Sequence, residues 1–168
     1  MKTSKKSGPI IGLLVLFILI AALSAVYYLN SNKGIKVYFI KGEKPIAIVR
    51  DLPKEEDPLQ IAALELMRGP TDIEKQSGIF TEIPGKARII KAEREGGTAV
   101  ITFNEEIENY GGGSARVNGL VAQIVYTFTE IPGIKSVKIV VGNKAEVVLG
   151  GEGFVIDRPL SREDLNAR

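Results

Sequence analysis

The chain contains no cysteine, no histidine and no tryptophan. Without cysteine, disulfides, thiol nucleophiles, thiolate zinc sites and a lipid-modified cysteine are excluded. Without histidine there is no imidazole metal ligand and no Ser-His or Cys-His arrangement, and the usual general base near neutral pH is missing. The absence of tryptophan, with only 5 tyrosines, argues against an aromatic carbohydrate-binding face. Complete phosphate motifs are also lacking: neither G-x-G-x-x-G nor G-x-x-x-x-G-K-[ST] occurs, so no nucleotide cofactor is expected.

An excess of charge of either sign is lacking as well. The formal net charge of +2 comes from the leader: without Lys2, Lys5 and Lys6 the remainder carries 19 basic and 20 acidic residues. A near-neutral folded part does not fit a nucleic-acid partner.

One long hydrophobic run is present. Pro9–Leu29, "PIIGLLVLFILIAALSAVYYL", has no charge. About twenty such residues suffice to cross a hydrocarbon core of about 30 Å. The sequence therefore predicts a cytoplasmic leader over 1–8, a transmembrane anchor over 9–29, a linker over 30–34 and an extracytoplasmic domain over 35–165. Tyr27 and Tyr28 sit where an interfacial belt would lie, and the lysine-rich end faces the cytoplasm, with Lys33 and Lys36 reducing the contrast. The alternative is a signal peptide, since "AALSA" offers small residues to a peptidase, but signal h-regions run only about 7–15 apolar residues.

The remainder predicts an α+β fold: a mixed or antiparallel sheet of about six strands with two main helices on one face. Ile35–Ile40 and Pro45–Arg50 form a hairpin around "KGEK". Asp57 is placed as an N-cap, Pro58 suits the first helical position, and Gln60 completes a capping-box-like pattern. Leu59, Ala62, Ala63, Leu66 and Met67 make one apolar stripe, which Gly69 and Pro70 end. "TDIEKQSG" makes a further short turn of helix. Ala87–Glu93 and Thr98–Phe103 form a second hairpin, joined by "EGG". The second long helix, about Ser114 to Thr129, carries Val117, Leu120, Val121, Ile124, Val125 and Phe128 on its stripe, and Gly119 and Ala122 permit close approach. Ser136–Val141 and Ala145–Leu149 form a third hairpin around "GNK". "TEIPG" occurs at Thr81–Gly85 and Thr129–Gly133, which either describes a ββα unit used twice or is a chance recurrence.

Asn109–Ser114, "NYGGGS", places three glycines between a strand and a helix. Arg116 could pair with an anion at that helix N-terminus, but no lysine follows as in a phosphate loop. The simpler reading is that Ser114 caps the helix, that Gly111–Gly113 includes a residue at positive φ, and that Tyr110 packs its ring beside the turn. Glu105, Glu106 and Glu108 lack calcium-loop spacing and read as a solvated acidic stretch.

The succession "KVYF", "AALELMRGPTDIEKQSGIFTEIP", "TAVITFNEEI", "NYGGGSARV", "LVAQIVYTFTEIPGIKSVKIVVGNK" and "PLSREDL" resembles the GerMN domain family of sporulation and spore germination proteins, over about Ile35 to Leu165. The resemblance implies a non-enzymatic module, similar to extracytoplasmic ring-building domains of envelope complexes in a developing spore. It implies no catalytic residue, no cofactor and no metal. The expected partners are the membrane, through the anchor, and a protein partner or further copies in the envelope; a wall-polymer-binding module unrelated to sporulation is the other function class. Gly69, Pro70, Asn109, Tyr110, Gly111, Gly112, Gly113, Ser114, Pro159 and Leu160 match the family's motifs, with an architectural or interfacial role implied. One copy of the domain is present.

Overall fold

The computed structural model describes residues 8–31, 34–109, 111, 113–142, 144, 146–149 and 154–166. The chain divides into two compact units, Met1–Gly34 and Ile35–Arg168.

In the first unit Gly8–Ser31 forms helix α1. Its described side chains, Gly12 to Ser24, are exposed. No helix among the described residues is long and apolar enough to cross a membrane. The expected transmembrane helix is corrected on that finding. Lys2, Lys5, Lys6 and Lys33, and the side chains of Tyr27 and Tyr28, lie outside the described residues.

The second unit is α+β, as expected, but its strands form sheets of three, three and two instead of one sheet of about six. Strands β1 (Gly34–Lys41) and β2 (Lys44–Asp51) make the first hairpin. Gly42, at φ 62°, supplies the left-handed residue of its two-residue turn. The short β3 (Ile79–Phe80) pairs antiparallel with β1 through Ile40↔Phe80, giving the order β2-β1-β3.

The second sheet, ordered β4-β5-β6, is mixed. β4 (Ile89–Glu95) and β5 (Thr98–Phe103) form the second expected hairpin, with a bulge between Ile89 and Lys91. β6 (Ser136–Val141) runs parallel to β5. Its register places Ala99, Ile101 and Phe103 beside Val137, Ile139 and Val141, all six buried. That shared alternation draws β6 to β5. The expected third hairpin is therefore not formed among the described residues: the chain leaves β6 at Gly142, at φ 55°, and β7 (Val147–Leu149) pairs with β8 (Phe154–Ile156).

Two main helices are present. α2 (Pro58–Arg68) starts as expected, with the Leu59 N–H donating to the Asp57 carboxylate at 3.0 Å and Pro58 at the first position. Gln60 makes no capping box and donates to the Ala92 carbonyl of β4 at 2.8 Å. The reciprocal capping box belongs to Thr71 and Glu74, at the start of α3 (Asp72–Gln76).

α4 (Ser114–Thr129) departs most from expectation. It touches β2, β6, α2 and the C-terminal α5 (Arg162–Asn166), while α2 packs on β4 of the same sheet as β6. Every residue from Leu120 to Val125 is buried, which a single apolar stripe does not achieve. The added buried positions include Gln123 and Thr127, both 0% exposed. Each is hydrogen-bonded: the Tyr38 N–H donates to the Thr127 hydroxyl at 2.9 Å, and the Glu82 N–H to the Gln123 side-chain carbonyl at 2.9 Å. Gly119 admits β1, since a β-carbon there would stand 3.7 Å from Ile40 and 3.3 Å from Glu82.

Arg50 of β2 joins α2 and α3 to the sheet. Its guanidinium grips Glu74 with two hydrogen bonds of 2.6 and 2.7 Å, stands 3.4 Å from Glu65 and stacks 5.5 Å from the Phe39 ring centre. The hydrogen bonds from Arg50 bring the Glu74 carboxyl down from 4.5 to about 2. This depressed value stabilises the fold above the unfolded-chain pKa of 4.5, and the contribution disappears as the pH falls toward about 2. Arg50→Ala is expected to cost about 1–3 kcal/mol, between an exposed and a buried pair. Chemical denaturation of wild type and Arg50→Ala across that acid window checks it, and the two stabilities should converge as Glu74 protonates.

Candidate functional site

The residues matching family motifs fall at three places. At the first, the Gly69 N–H donates to the Glu65 carbonyl and ends α2, with Gly69 at φ 74° and ψ −172°. Only glycine adopts that backbone without strain. Pro70 is buried behind it, and Thr71 then caps α3. The glycine and proline thus set the angle between two consecutive helices.

The second place is the start of α4. Asn109 is exposed, and Tyr110 and Gly112 lie outside the described residues, so the expected packing of Tyr110 has no description here. Gly113, at φ −76°, is the N-cap, and Ser114 is the first helical residue, which corrects its reading as the cap. Neither Gly111 nor Gly113 has a positive φ, which removes that reason for glycine at both. Arg116 donates to the Gly111 carbonyl at 2.9 Å and pairs with Glu82 at 3.0 Å, directing its guanidinium onto the loop and a buried carboxylate. Of the acidic stretch, Glu105 to Ile107 form one 3-10 turn and Glu108 pairs with Lys144. No group of acidic residues among those described is arranged to hold a metal ion.

At the third place, Pro159 is exposed and Leu160 is buried. Leu160 exchanges two backbone hydrogen bonds of 2.8 Å with Val137, closing the outer edge of β6. The Asp164 carboxylate then accepts from the Ser161 N–H and hydroxyl and pairs with Arg158, whose hydrogen bond holds its pKa well below the usual range.

Arg162 carries the tail onto α4. It donates to Thr129 at 2.8 Å, to the Tyr126 carbonyl at 3.1 Å and to Glu130 at 2.6 Å. Its guanidinium lies 5.6 and 5.1 Å from the ring centres of Tyr38 and Tyr126. Lys36 also pairs with Glu130, at 2.6 Å, and the Tyr38 hydroxyl donates to the same carboxylate at 3.2 Å. Burial pushes the Glu130 carboxyl up, but the hydrogen bonds from Lys36 and Arg162 outweigh it and hold it below the ordinary value.

These places do not converge on one chemical centre. Between them lie two clefts, separated by the first "TEIPG" segment. One, of about 500 Å³, runs along α4 past Glu82, Arg116, Gly119 and Tyr126. The other, of about 370 Å³, includes Gly69, Pro70, Phe80 and Thr81 through Gly85 except Glu82. Gln123 fixes the dividing segment by donating to the Thr81 hydroxyl at 2.9 Å. Both "TEIPG" copies hold their glutamate against an arginine, Glu82 with Arg116 and Glu130 with Arg162. Their surroundings differ: β1, the first strand of its hairpin, is central in one sheet, whereas β5, the second of its hairpin, is central in the other. The echo is one of loop chemistry, without a repeated strand order. Gln123 and Arg162 escaped the sequence reading; "SRED" is the capping-type signal that marked the start of α5.

Residues 25–147 match the Germane family, described as sporulation and spore germination. The chain is 30% identical over 142 residues to spore germination protein GerM of Bacillus subtilis, covering 82% of this chain and 36% of that protein. It thus spans little more than a third of that relative's length. Among solved structures, the first GerMN domain of the sporulation protein GerM from Bacillus subtilis aligns with a TM-score of 0.60 at 24% identity, over 78% of this chain and 98% of that one. The tandem GerMN domains of the same protein align with a TM-score of 0.55 at 23% identity, over 77% and 44% of the two chains.

The backbone angles separate the glycines. Gly69→Ala is expected to destabilise by about 1–3 kcal/mol, the cost of a side chain in a glycine-only region. Gly111→Ala, exposed with nothing within 4 Å of the new β-carbon, should stay within about 0.5 kcal/mol of wild type. Thermal unfolding of the two variants checks the contrast.

Proposed function

The chain belongs to the Germane family of sporulation and spore germination domains, and from that membership we propose that it works as a non-enzymatic extracytoplasmic interaction or assembly module in a sporulation or germination envelope complex. The observation that carries the proposal is where the motif residues lie. Gly69 and Pro70 set the angle between α2 and α3, Gly113 and Ser114 begin α4, and Leu160 docks the tail on β6. Such residues preserve a shape, and shape is what a docking module shares with its relatives. A catalytic family would instead be expected to gather nucleophile, base and oxyanion donors at one cleft.

Three measurements test the reading together. A fluorescent fusion should appear at the envelope of sporulating cells, protease added to intact protoplasts should digest the domain, and crosslinking in intact cells should give discrete adducts with protein. Full protection from protease would overturn the extracytoplasmic placement. Retention on purified wall material with no protein adduct would replace the assembly role with wall-polymer binding.

A further inference from the structure

The smaller cleft has a charge pattern that the larger one lacks. Its apolar lining includes Pro70, Phe80 and Pro84, its cations are Arg68, Lys75 and Arg88, and no carboxylate lines it. The larger cleft balances Arg116 against Glu43 and Glu82. Phe80 is 39% exposed and belongs to β3, the outer strand of its sheet.

Of the three cations, Lys75 pairs with Asp72 on the surface, 59% and 91% exposed, and Arg68, 63% exposed, pairs with Glu65, which is 14% exposed. A pair as exposed as Lys75 with Asp72 contributes little and is readily exchanged for another carboxylate. Arg88 donates to the carbonyls of Gly85 and Ala87, at 2.8 and 2.6 Å, and has no carboxylate partner among the described residues. Nearby Glu74 is held by Arg50 and by the Thr71 N–H. The walls are braced in advance, by the Arg50–Glu74 grip on α3 and by Gln123 on Thr81, which lowers the ordering cost of binding.

We propose that this cleft receives an extended acidic segment of a partner protein, with an apolar side chain against Phe80 between the two prolines and carboxylates on Arg68, Lys75 and Arg88. The proposal rests on the interaction-module reading above and names its partner's chemistry. A bare polyanion would leave the apolar lining unused, and an uncharged peptide would leave Arg88 unpaired, so an acidic segment with an apolar anchor fits both halves.

The test uses the full-length chain. Random dodecapeptides displayed on phage are selected on it, and binders are measured by fluorescence anisotropy. Binders should be rich in aspartate and glutamate around one apolar residue, and should weaken from roughly 50 to 500 mM salt as screening increases. Lys75→Glu and Arg88→Gln should each weaken them by about tenfold or more while leaving the melting temperature unchanged. Binders without acidic enrichment, or acidic binders indifferent to both substitutions, would overturn the proposal. In sporulating cells, a photocrosslinking residue is placed at Phe80 or, in the larger cleft, at Asn118. A protein adduct from Phe80 that Lys75→Glu abolishes supports the proposal. Protein adducts from Asn118 alone overturn it and leave the interaction reading standing. Adducts to wall polymer, or none from either position, overturn both.

Discussion

A helix buried along most of its length obliges each polar group it carries to find a partner, and α4 carries two in its interior, Gln123 and Thr127. Leaving either unpaired would cost about 1–3 kcal/mol. Both are satisfied by loop or edge backbone, and that choice shapes the domain. β3 is only two residues long, so opposite Tyr38 there is no strand to receive its N–H; the Thr127 hydroxyl takes that place. Gln123 accepts from the Glu82 N–H and donates to the Thr81 hydroxyl. The path of the first "TEIPG" segment follows from these bonds, and that segment divides the two clefts. Gln123→Leu would retain much of the volume while releasing the segment, so its effect belongs to cleft geometry as much as to stability.

Charge works differently at the two ends of α4. Near its start, Glu108, 19% exposed, has one charged partner, Lys144, which is 48% exposed. At its end, Glu130 keeps only 20% of its side chain exposed and is shared by Lys36, Arg162 and Tyr38. Arg162 also stacks near two tyrosines whose own ring centres are 5.4 Å apart. A shared, partly desolvated carboxylate under an arginine constrains direction better than an exposed pair does. The C-terminal residues are thus integrated with the first strand and the longest helix, and the Leu160–Val137 bridge reinforces the same attachment.

Much of this was legible in the sequence, where local chemistry decides the outcome. Asp57 and Pro58 gave the start of α2, Gly69 its end, and alternation gave the first two hairpins. The failures share a cause: each needed information about a distant partner. β6 was paired with the strand next in sequence, yet its buried alternation matches β5, which lies across the whole of α4. Gln123 and Thr127 look solvent-facing by type and spacing, and only tertiary contact reveals their partners. Ser114 has a cap residue's chemistry, but Gly113 occupies the cap, so the local signal fell one position away from the helix boundary. The glycine turn was expected to hold at least one left-handed residue; Gly111 and Gly113 are not such residues and Gly112 lies outside the described residues, whereas positive angles fall at turns such as Gly42 and at the helix end, Gly69. The expected bilayer-spanning helix is not found among the described residues.

Net charge, finally, concealed the arrangement most relevant to recognition. Near-equal numbers of basic and acidic residues predict a weak overall field, and they say nothing about sorting. Arg50 performs a sorting step. Standing on β2 with 14% of its side chain exposed, it draws Glu74 and one oxygen of Glu65 toward itself. Glu74 and one oxygen of Glu65 are thereby held at the sheet, while the other Glu65 oxygen and Asp72 pair with Arg68 and Lys75, which line the cleft with Arg88. One partly buried cation thus keeps Glu74 out of a cleft whose lining carries three cations and no carboxylate. For the proposed acidic segment the consequence is specific: Glu74 is already held by Arg50, so its carboxylate would not compete for the cleft cations.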